Sequence, residues 1–279
     1  YFLMPNFAVH AGWGLFNQHP VAISGFMEPI ASFYYWVTVF GKWKPMEAHH
    51  YVLGGEMLLP WGEANLDLFY KNYPYLLEYN RDGYDPLDPD NTVFTEGKGE
   101  SYGLDLRVAK NIGFLQGSFS GSLIFAQGRF GEEKSYHPLP WDRRGQVSLS
   151  LKIPLGKWRW GVFFTYGGGA PYTGVAGRYR RFYPPPPGDT REPPHLGIWS
   201  EIDSSPFGLR YPDYNRLDLL IERSFKAIGI HWEVALSVLN VYNRRNVFIY
   251  YYDYEETPPR RKTIPQLPIV PSLEIRGSF

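Results

Sequence analysis

The last nine residues of the chain, 271–279, alternate strictly between apolar and polar positions. Leu273, Ile275, Gly277 and Phe279 fall on one face of an extended strand, whereas the serines, the glutamate and the arginine between them fall on the other. A strand that ends a soluble protein tends to fray, which would expose its terminal aromatic side chain. The pattern therefore favours a transmembrane β-barrel strand with one face against lipid and the other against a polar interior.

The same period of two recurs along the chain and predicts ten antiparallel strands. Long loops are predicted at residues 16–47, 72–98, 128–141 and 167–213, with a Pro-rich loop before the last strand, and the extended pattern resumes at 247–252. Short turns alternate with these loops, as the periplasmic turns and extracellular loops of outer-membrane barrels do. The prediction is an all-β fold, a transmembrane antiparallel β-barrel with a periplasmic C-terminus. The strands centre on residues 7–15, 51–59, 64–70, 102–108, 115–125, 147–151, 158–166, 217–221, 230–238 and 271–279.

Composition excludes other classes of protein. Aromatic residues make up 18% of the chain although its mean hydropathy is −0.33, a combination typical of strands with one lipid-facing side and aromatic girdles. No run approaches ~18 apolar residues, which excludes a helical membrane protein. The absence of cysteine excludes disulfides and thiolate metal sites. A net charge of +0 gives no support to a nucleic-acid partner.

Metal binding and catalysis find little support in the residue pattern. Residues 82–90 carry four aspartates, whose oxygens suit calcium, but the run lacks the expected bidentate glutamate, so a solvated acidic loop is the favoured interpretation. The adjacent residues His49 and His50 point to opposite faces of a strand and do not converge on one metal. No Ser-His-acid grouping is fixed by sequence. We therefore expect no metal, no cofactor and no enzymatic activity.

Several segments together resemble the β-barrel of TonB-dependent outer-membrane receptors. Each segment is a weak signal by itself, whereas their order and spacing over nearly the whole chain make the resemblance fairly specific. They are Gly12–Pro20, Gly54–Glu56, Trp141–Gly145, Gly168–Thr173, Tyr211–Asp218, Val238–Asn246 and Leu267–Leu273, followed by the terminal Phe279.

The resemblance implies a barrel of about 22 strands, filled by an N-terminal plug that contacts TonB. Residues 1–279 would form its C-terminal part, roughly the last ten strands, with the plug domain and the N-terminal strands absent from this sequence. Because the chain has no initiator and no signal peptide, we expect it to be a piece of a longer polypeptide. The implied function is TonB-dependent uptake of a scarce nutrient: a siderophore, vitamin, oligosaccharide or peptide. The alternative is a barrel that transports nothing and anchors a surface lipoprotein or another outer-membrane protein.

The resemblance and the strand pattern together nominate three sets of residues. The C-terminal residues Leu273, Ile275 and Phe279 resemble the signal that the barrel-assembly machinery recognises; the alternative role of Phe279 is an anchor at the membrane interface. Charged positions on the polar faces would contact the plug or simply line a wet lumen: Asp105, Arg107, Asp218, Glu222, Glu233 and Arg276. Aromatic rings and guanidinium groups in one long loop would bind ligand or pack the loop on itself: Tyr172, Arg178, Tyr179, Arg181, Tyr183 and Trp199.

Overall fold

A computed structural model describes most of the chain: residues 1–23, 35–80, 83, 85, 87–110, 113–132, 134–181, 198–253, 256 and 260–279. Nearly every element is a strand, and no helix among these residues is long and apolar enough to cross a membrane. The elements are β1 (Phe2–Met4), β2 (Phe7–Gln18), β3 (Pro20–Ile23), β4 (Tyr35–Thr38), β5 (Met46–Leu59), β6 (Gly62–Tyr79), α1 (Pro89–Thr92), β7 (Phe94–Lys110), β8 (Gln116–Phe130), β9 (His137–Pro138), β10 (Gln146–Leu155), β11 (Trp158–Gly167), β12 (Pro171–Tyr172), β13 (Val175–Arg181), β14 (Ile198–Asp203), β15 (Leu209–Arg210), β16 (Tyr214–Ala227), β17 (Ile230–Leu239), β18 (Val247–Asp253), β19 (Arg260–Pro265) and β20 (Val270–Ser278).

Ten long strands form one antiparallel sheet, which we call the wall, in the order β2, β5, β6, β7, β8, β10, β11, β16, β17 and β20. The short strands β1 and β9 pair with β2 and β8. Successive wall strands are neighbours in the sheet, as in an up-and-down β-barrel. The prediction of an antiparallel all-β barrel with ten strands in this chain is confirmed. We call the end of the wall with short connections (60–61, 111–115, 156–157 and 228–229) the turn end, and the opposite end the loop end.

The register aligns apolar side chains from strand to strand on one face of the wall. Trp13 lies opposite Tyr51, Tyr51 opposite Tyr70, Tyr70 opposite Tyr102, and Tyr102 opposite Phe125. This aromatic row crosses five strands near the loop end, as an interfacial girdle does. The apolar face and the polar face predicted from the alternation are therefore both present.

The apolar face has the height that a bilayer requires. Trp158 and Tyr166 lie on this face near opposite ends of β11, about 27 Å apart at ~3.4 Å per residue. A strand tilt of about 40° reduces this distance to about 21 Å, close to the ~25 Å apolar band of outer-membrane barrels.

The predicted loop at residues 72–98 is wrong at both ends, because β6 continues to Tyr79 and β7 begins at Phe94. A register shift between Tyr73 and Leu76 interrupts the alternation there. Beyond it, both strands leave the apolar band, and side chains pack into small local cores instead of following a period of two. One such core contains Val21, Trp43, Leu77, Val93 and Phe94.

Other predicted loops contain hairpins that stand apart from the wall. Strands β3 and β4 pair within 16–47, and β13 pairs with β14 within 167–213. The extended segment at 247–252 belongs to β18, which pairs with β19 and not with a wall strand. Sequence shows extended character but does not show which partner a strand takes.

Candidate functional site

The polar face of the wall carries all six residues predicted to line the interior. Five of the six align with a polar or small residue on a neighbouring strand: Asp105 lies opposite Asp67, Arg107 opposite Asn65, Glu222 opposite Ala235, and Glu233 opposite Arg276. Asp218 lies on β16 in the same alternation, opposite Phe163 on β11; it is largely buried and accepts a 2.8 Å hydrogen bond from the backbone N–H of Asn240.

Every arginine on the polar face of the wall contacts a carboxylate. The closest N–O distances are 3.2 Å for Arg107 with Glu63, 3.0 Å for Arg159 with Glu222, 2.9 Å for Arg216 with Asp218, and 2.8 Å for Arg276 with Glu274. Apart from the pair of Arg216 with the largely buried Asp218, these pairs are exposed and contribute ~0–1 kcal/mol each. They balance charge along the polar face more than they stabilise the fold.

A glycine allows a polar contact across three strands. His10 on β2 and Asp67 on β6 both lie opposite Gly54 on β5, and His10 Nε2 is 2.7 Å from Asp67 Oδ1. A Cβ atom at Gly54 would overlap Asp67 Oδ1 and lie 2.5 Å from His10 Nε2. The imidazole and the carboxylate therefore meet because position 54 has no side chain.

Small hydroxyl side chains occupy the middle of the polar face. Ser118 and Ser120 on β8 lie opposite Ser150 and Ser148 on β10, and Ser148 lies opposite Thr165 on β11. Hydroxyl groups both donate and accept hydrogen bonds. This surface suits a polar or hydrated partner in the interior.

Of the six predicted ligand-loop residues, four lie on the β13–β14 hairpin and Tyr172 lies on β12. Arg178 and Tyr179 lie on β13, and the backbone of β13 pairs with β14, where Trp199 lies opposite Arg180 and Ile198 opposite Arg181. Tyr183 lies outside the described residues. Tyr172 is on β12 and packs against a different set of side chains.

The set around Tyr172 is a cluster of three tyrosines and one arginine, which we call the tyrosine cluster: Tyr172, Tyr211, Tyr250 and Arg261. Tyr172 stacks on Tyr211 with ring centroids 4.3 Å apart, and Tyr250 lies 5.2 Å from Tyr211. The guanidinium of Arg261 lies 4.2 Å from the Tyr250 centroid, and Arg261 Nη1 donates a 3.4 Å hydrogen bond to the Tyr172 hydroxyl. Two long connections at the loop end, β11–β16 and β17–β20, thus contribute to one surface.

The tyrosine cluster combines flat aromatic faces, a hydroxyl and a cation. Burial raises the pKa of the Tyr172 hydroxyl, and the positive charge of Arg261 opposes part of that increase. The hydroxyl is therefore neutral at physiological pH and remains a hydrogen-bond donor. Nearby on the β18–β19 hairpin, hydrogen bonds from Lys262 to Asp253 and Glu256 raise the lysine pKa, so that its charge persists.

A buried carboxylate ties the loops beneath the tyrosine cluster to the wall. Asp142, 2% exposed, accepts a 2.8 Å hydrogen bond from the N–H of Ala126 on β8 and forms a close ion pair with Arg210 on β15. Arg210 also donates to the carbonyl oxygens of Asp142 and Gly169, at 2.7 and 3.1 Å. Asp213 accepts hydrogen bonds from the Tyr166 hydroxyl and the Gly169 N–H. These contacts hold β12 and β15, which flank the cluster.

Two asparagines of the Val238–Asn246 segment hold the adjoining strand ends in the same way. The side chain of Asn240 donates to the carbonyl oxygens of Arg244 and Leu267, each at 3.0 Å. Asn246 exchanges two hydrogen bonds with the backbone of Asn215. The polar residues of the segments that carry the family resemblance therefore secure the loop end of the wall.

Sequence reasoning missed Tyr211, Tyr250 and Arg261 as members of a site. Tyr211 opens one of the resemblance segments, and Tyr250 begins a run of three tyrosines, so both were visible as aromatic residues. No local signal shows that these residues lie together, because they come from separate connections.

Of the aspartates considered as calcium ligands, Asp82 lies outside the described residues. Asp85 Oδ1 accepts from the N–H of Leu87, and Asp88 Oδ1 accepts from Asn91, so these carboxylates organise their turn; no metal-binding group of three acidic or histidine residues occurs in the part of the chain that the structure describes. The ring of His49 stacks on Trp13, and the ring of His50 packs against Phe16. The two histidines therefore lie on opposite faces of β5, as predicted.

The C-terminal residues lie on the strand that sequence predicted. Leu273 and Ile275 lie opposite Leu236 and Val234 on the apolar face, and Phe279 follows β20 fully exposed. Their role as an assembly signal stays a prediction.

Solved structures with a similar fold include receptors and transporters for iron or its complexes. The chain is similar to the ferripyoverdine receptor of the outer membrane of Pseudomonas aeruginosa, with 14% identity and a TM-score of 0.53 over 90% of this chain and 28% of that one. The ferric-catecholate import receptor Fiu of E. coli has 16% identity and a TM-score of 0.54, over 88% of this chain and 30% of that one. The FrpB iron transporter of Neisseria meningitidis has 14% identity and a TM-score of 0.56, over 99% and 37%.

The chain thus spans about a third of the length of these proteins. None of the curated proteins matches its sequence. The family model described as TonB dependent receptor-like, beta-barrel, matches residues 3–243, which is most of the chain. The ten-stranded wall with one apolar and one polar face therefore belongs to the β-barrel of the TonB-dependent receptor family.

Proposed function

We propose that this chain is the C-terminal part of the barrel of an outer-membrane receptor that imports a scarce nutrient, coupled to TonB. The observation that carries the proposal is the continuous apolar face across ten strands, opposite a face of charges and hydroxyls. A sheet of this kind suits lipid on one side and a plugged, hydrated lumen on the other. The turn end and the C-terminus then lie on the periplasmic side, and the loop end faces outward.

The plug domain and the remaining barrel strands would complete this wall. The hydroxyls of Ser118, Ser120 and Ser148 and the paired charges around Asp105 and Arg107 supply hydrogen-bond partners for a plug. Exposed ion pairs of this strength can rearrange at low cost, which suits a plug that has to move during transport. TonB would act through the plug and not through the residues described above. The barrel-assembly machinery would recognise the C-terminal strand that ends at Phe279.

Among siderophore, vitamin, oligosaccharide and peptide, a ferric siderophore fits the tyrosine cluster best. Catecholate and other aromatic chelates stack on tyrosine rings, and their ferric complexes often carry negative charge, which Arg261 would attract. The structural neighbours include a ferripyoverdine receptor and a ferric-catecholate import receptor, which supports the same class.

Uptake of radioiron as a ferric catecholate in cells tests this proposal. The full polypeptide that carries these residues should restore uptake to a strain that lacks its gene, and a protonophore should abolish that uptake. Arg261→Gln should reduce uptake at low chelate concentration. Arg260→Gln is the matched control, because Arg260 adjoins it but pairs with Glu256. Correct insertion without uptake of any chelate would favour the alternative, a barrel that anchors a partner at the cell surface.

A further inference from the structure

In the half of the apolar face that lies towards the turn end, two of the described side chains are charged: Lys110 and Arg223, both cations. Arg223 on β16 lies opposite Trp158 on β11 and opposite Val234 on β17. Its immediate neighbours on this face are apolar. A charge at such a position is tolerated only near the membrane interface, where its cost falls to ~0–1 kcal/mol.

Arg223 differs from the arginines of the polar face in its partners. Arg107, Arg159, Arg216 and Arg276 each contact a carboxylate, whereas Arg223 contacts no carboxylate among the described residues. Its guanidinium instead lies 4.9 Å from the ring centroid of Trp158. Stacking on an indole orients the planar guanidinium and leaves its in-plane N–H donors available.

The two aromatic side chains near Arg223, Trp158 and Phe225, lie at the boundary of the apolar face. Trp158 is the first residue of β11 and 42% exposed, and Phe225 is 39% exposed. Indole rings settle where acyl chains meet head groups. At that depth, the group that a lipid offers to an arginine is its phosphate, which accepts the two parallel hydrogen bonds that a guanidinium fork donates.

We propose that Arg223 and Trp158 form a binding site for the head group of an anionic phospholipid, at the turn end of the lipid-facing surface. The phosphodiester accepts hydrogen bonds from the Arg223 guanidinium, and the Trp158 ring packs against the glycerol and upper acyl region. Charge complementarity supports an anionic lipid, because this end of the apolar face has cations and no described carboxylate. The inference rests on the proposed membrane embedding of the apolar face.

Native mass spectrometry of the full polypeptide tests this site, with phosphatidylglycerol and phosphatidylcholine as probes. The unmodified protein should retain phosphatidylglycerol in preference to phosphatidylcholine. Arg223→Gln should reduce that preference about fivefold, because a factor of about five corresponds to the binding free energy that one arginine contributes near an anionic membrane surface. Arg159→Gln, one position from Trp158 but on the polar face, should leave it unchanged. Equal retention by Arg223→Gln and the unmodified protein would overturn the site. Heat-modifiable migration in electrophoresis establishes that each variant is folded.

A photoreactive phenylalanine analogue in place of Trp158 separates failure of this inference from failure of the proposed function. Adducts with phospholipid in membranes, together with an unchanged lipid preference in Arg223→Gln, would overturn the head-group site and leave the membrane barrel intact. The absence of any phospholipid adduct would overturn both. An adduct with a second protein would also overturn the lipid site.

Discussion

Replacing Asp142 with alanine removes the carboxylate that anchors the loop end, and the structure allows the cost to be worked out. The N–H of Ala126 loses its acceptor, which costs ~1–3 kcal/mol when the group stays buried. Arg210 loses its charged partner; a fully buried pair would cost ~3–5 kcal/mol to break, but the Arg210 side chain is 30% exposed and keeps two carbonyl contacts. We expect local destabilisation of about 2–4 kcal/mol in total.

Hydrogen–deuterium exchange of the folded protein measures this effect where it should occur. The amides of Tyr172 on β12 and of Leu209 and Arg210 on β15 should exchange about 30- to 700-fold faster in Asp142→Ala, because each 1.4 kcal/mol is about tenfold. The wall strands β16 and β17 should keep their protection, since their pairing does not involve Asp142.

Arg144 supplies a matched control on the same carboxylate. Its side chain is 56% exposed and lies 3.5 Å from Asp142 Oδ2, so Arg144→Ala should cost no more than ~1 kcal/mol. Equal exchange rates in Arg144→Ala and Asp142→Ala, or unchanged protection of β12 and β15 in Asp142→Ala, would refute the assignment of Asp142 and Arg210 as the anchor.

Three further predictions concern the wall and the tyrosine cluster. Leu236→Arg on the apolar face should cost about 2–4 kcal/mol in lipid-refolded protein, and Ser237→Arg on the polar face should be nearly neutral; equal denaturation midpoints would contradict the assignment of the faces. Gly54→Ala should separate His10 and Asp67, which a structure of the variant would report as an Nε2–Oδ1 distance longer than the 2.7 Å of the unmodified protein; an unchanged distance would contradict this. The pKa of Tyr172 is raised in the folded state, so the neutral hydroxyl stabilises the cluster fully below the unfolded pKa of 10.0, and this stability is lost as pH rises through the folded pKa. An ultraviolet difference titration of the unmodified protein against Tyr172→Phe should therefore show the ionisation of Tyr172 above pH 10.0. Ionisation at or below that pH would contradict the burial argument.

The sequence predicted the wall well because its signal is local. Alternating side chains on a strand point to opposite faces, and contact with lipid requires one of those faces to be apolar. Each strand within the apolar band can therefore be recognised from its own alternating sequence. The prediction failed at residues 72–98, where β6 and β7 extend beyond the band. There the backbone pairing continues, but the solvent no longer imposes two different faces, and a register shift breaks the period.

The candidate site was predictable only in part. Sequence alone determined the positions of the ten wall strands, the two faces of the wall and the polar identity of positions such as Asp105 and Glu233, because these follow from short-range alternation. Tertiary structure decided that Tyr172 packs with Tyr211 of its own connection and with Tyr250 of the next one, and that Arg223 stacks on Trp158. Such contacts depend on how separate connections fold over the wall and on strand register, and neither leaves a periodic trace in the sequence.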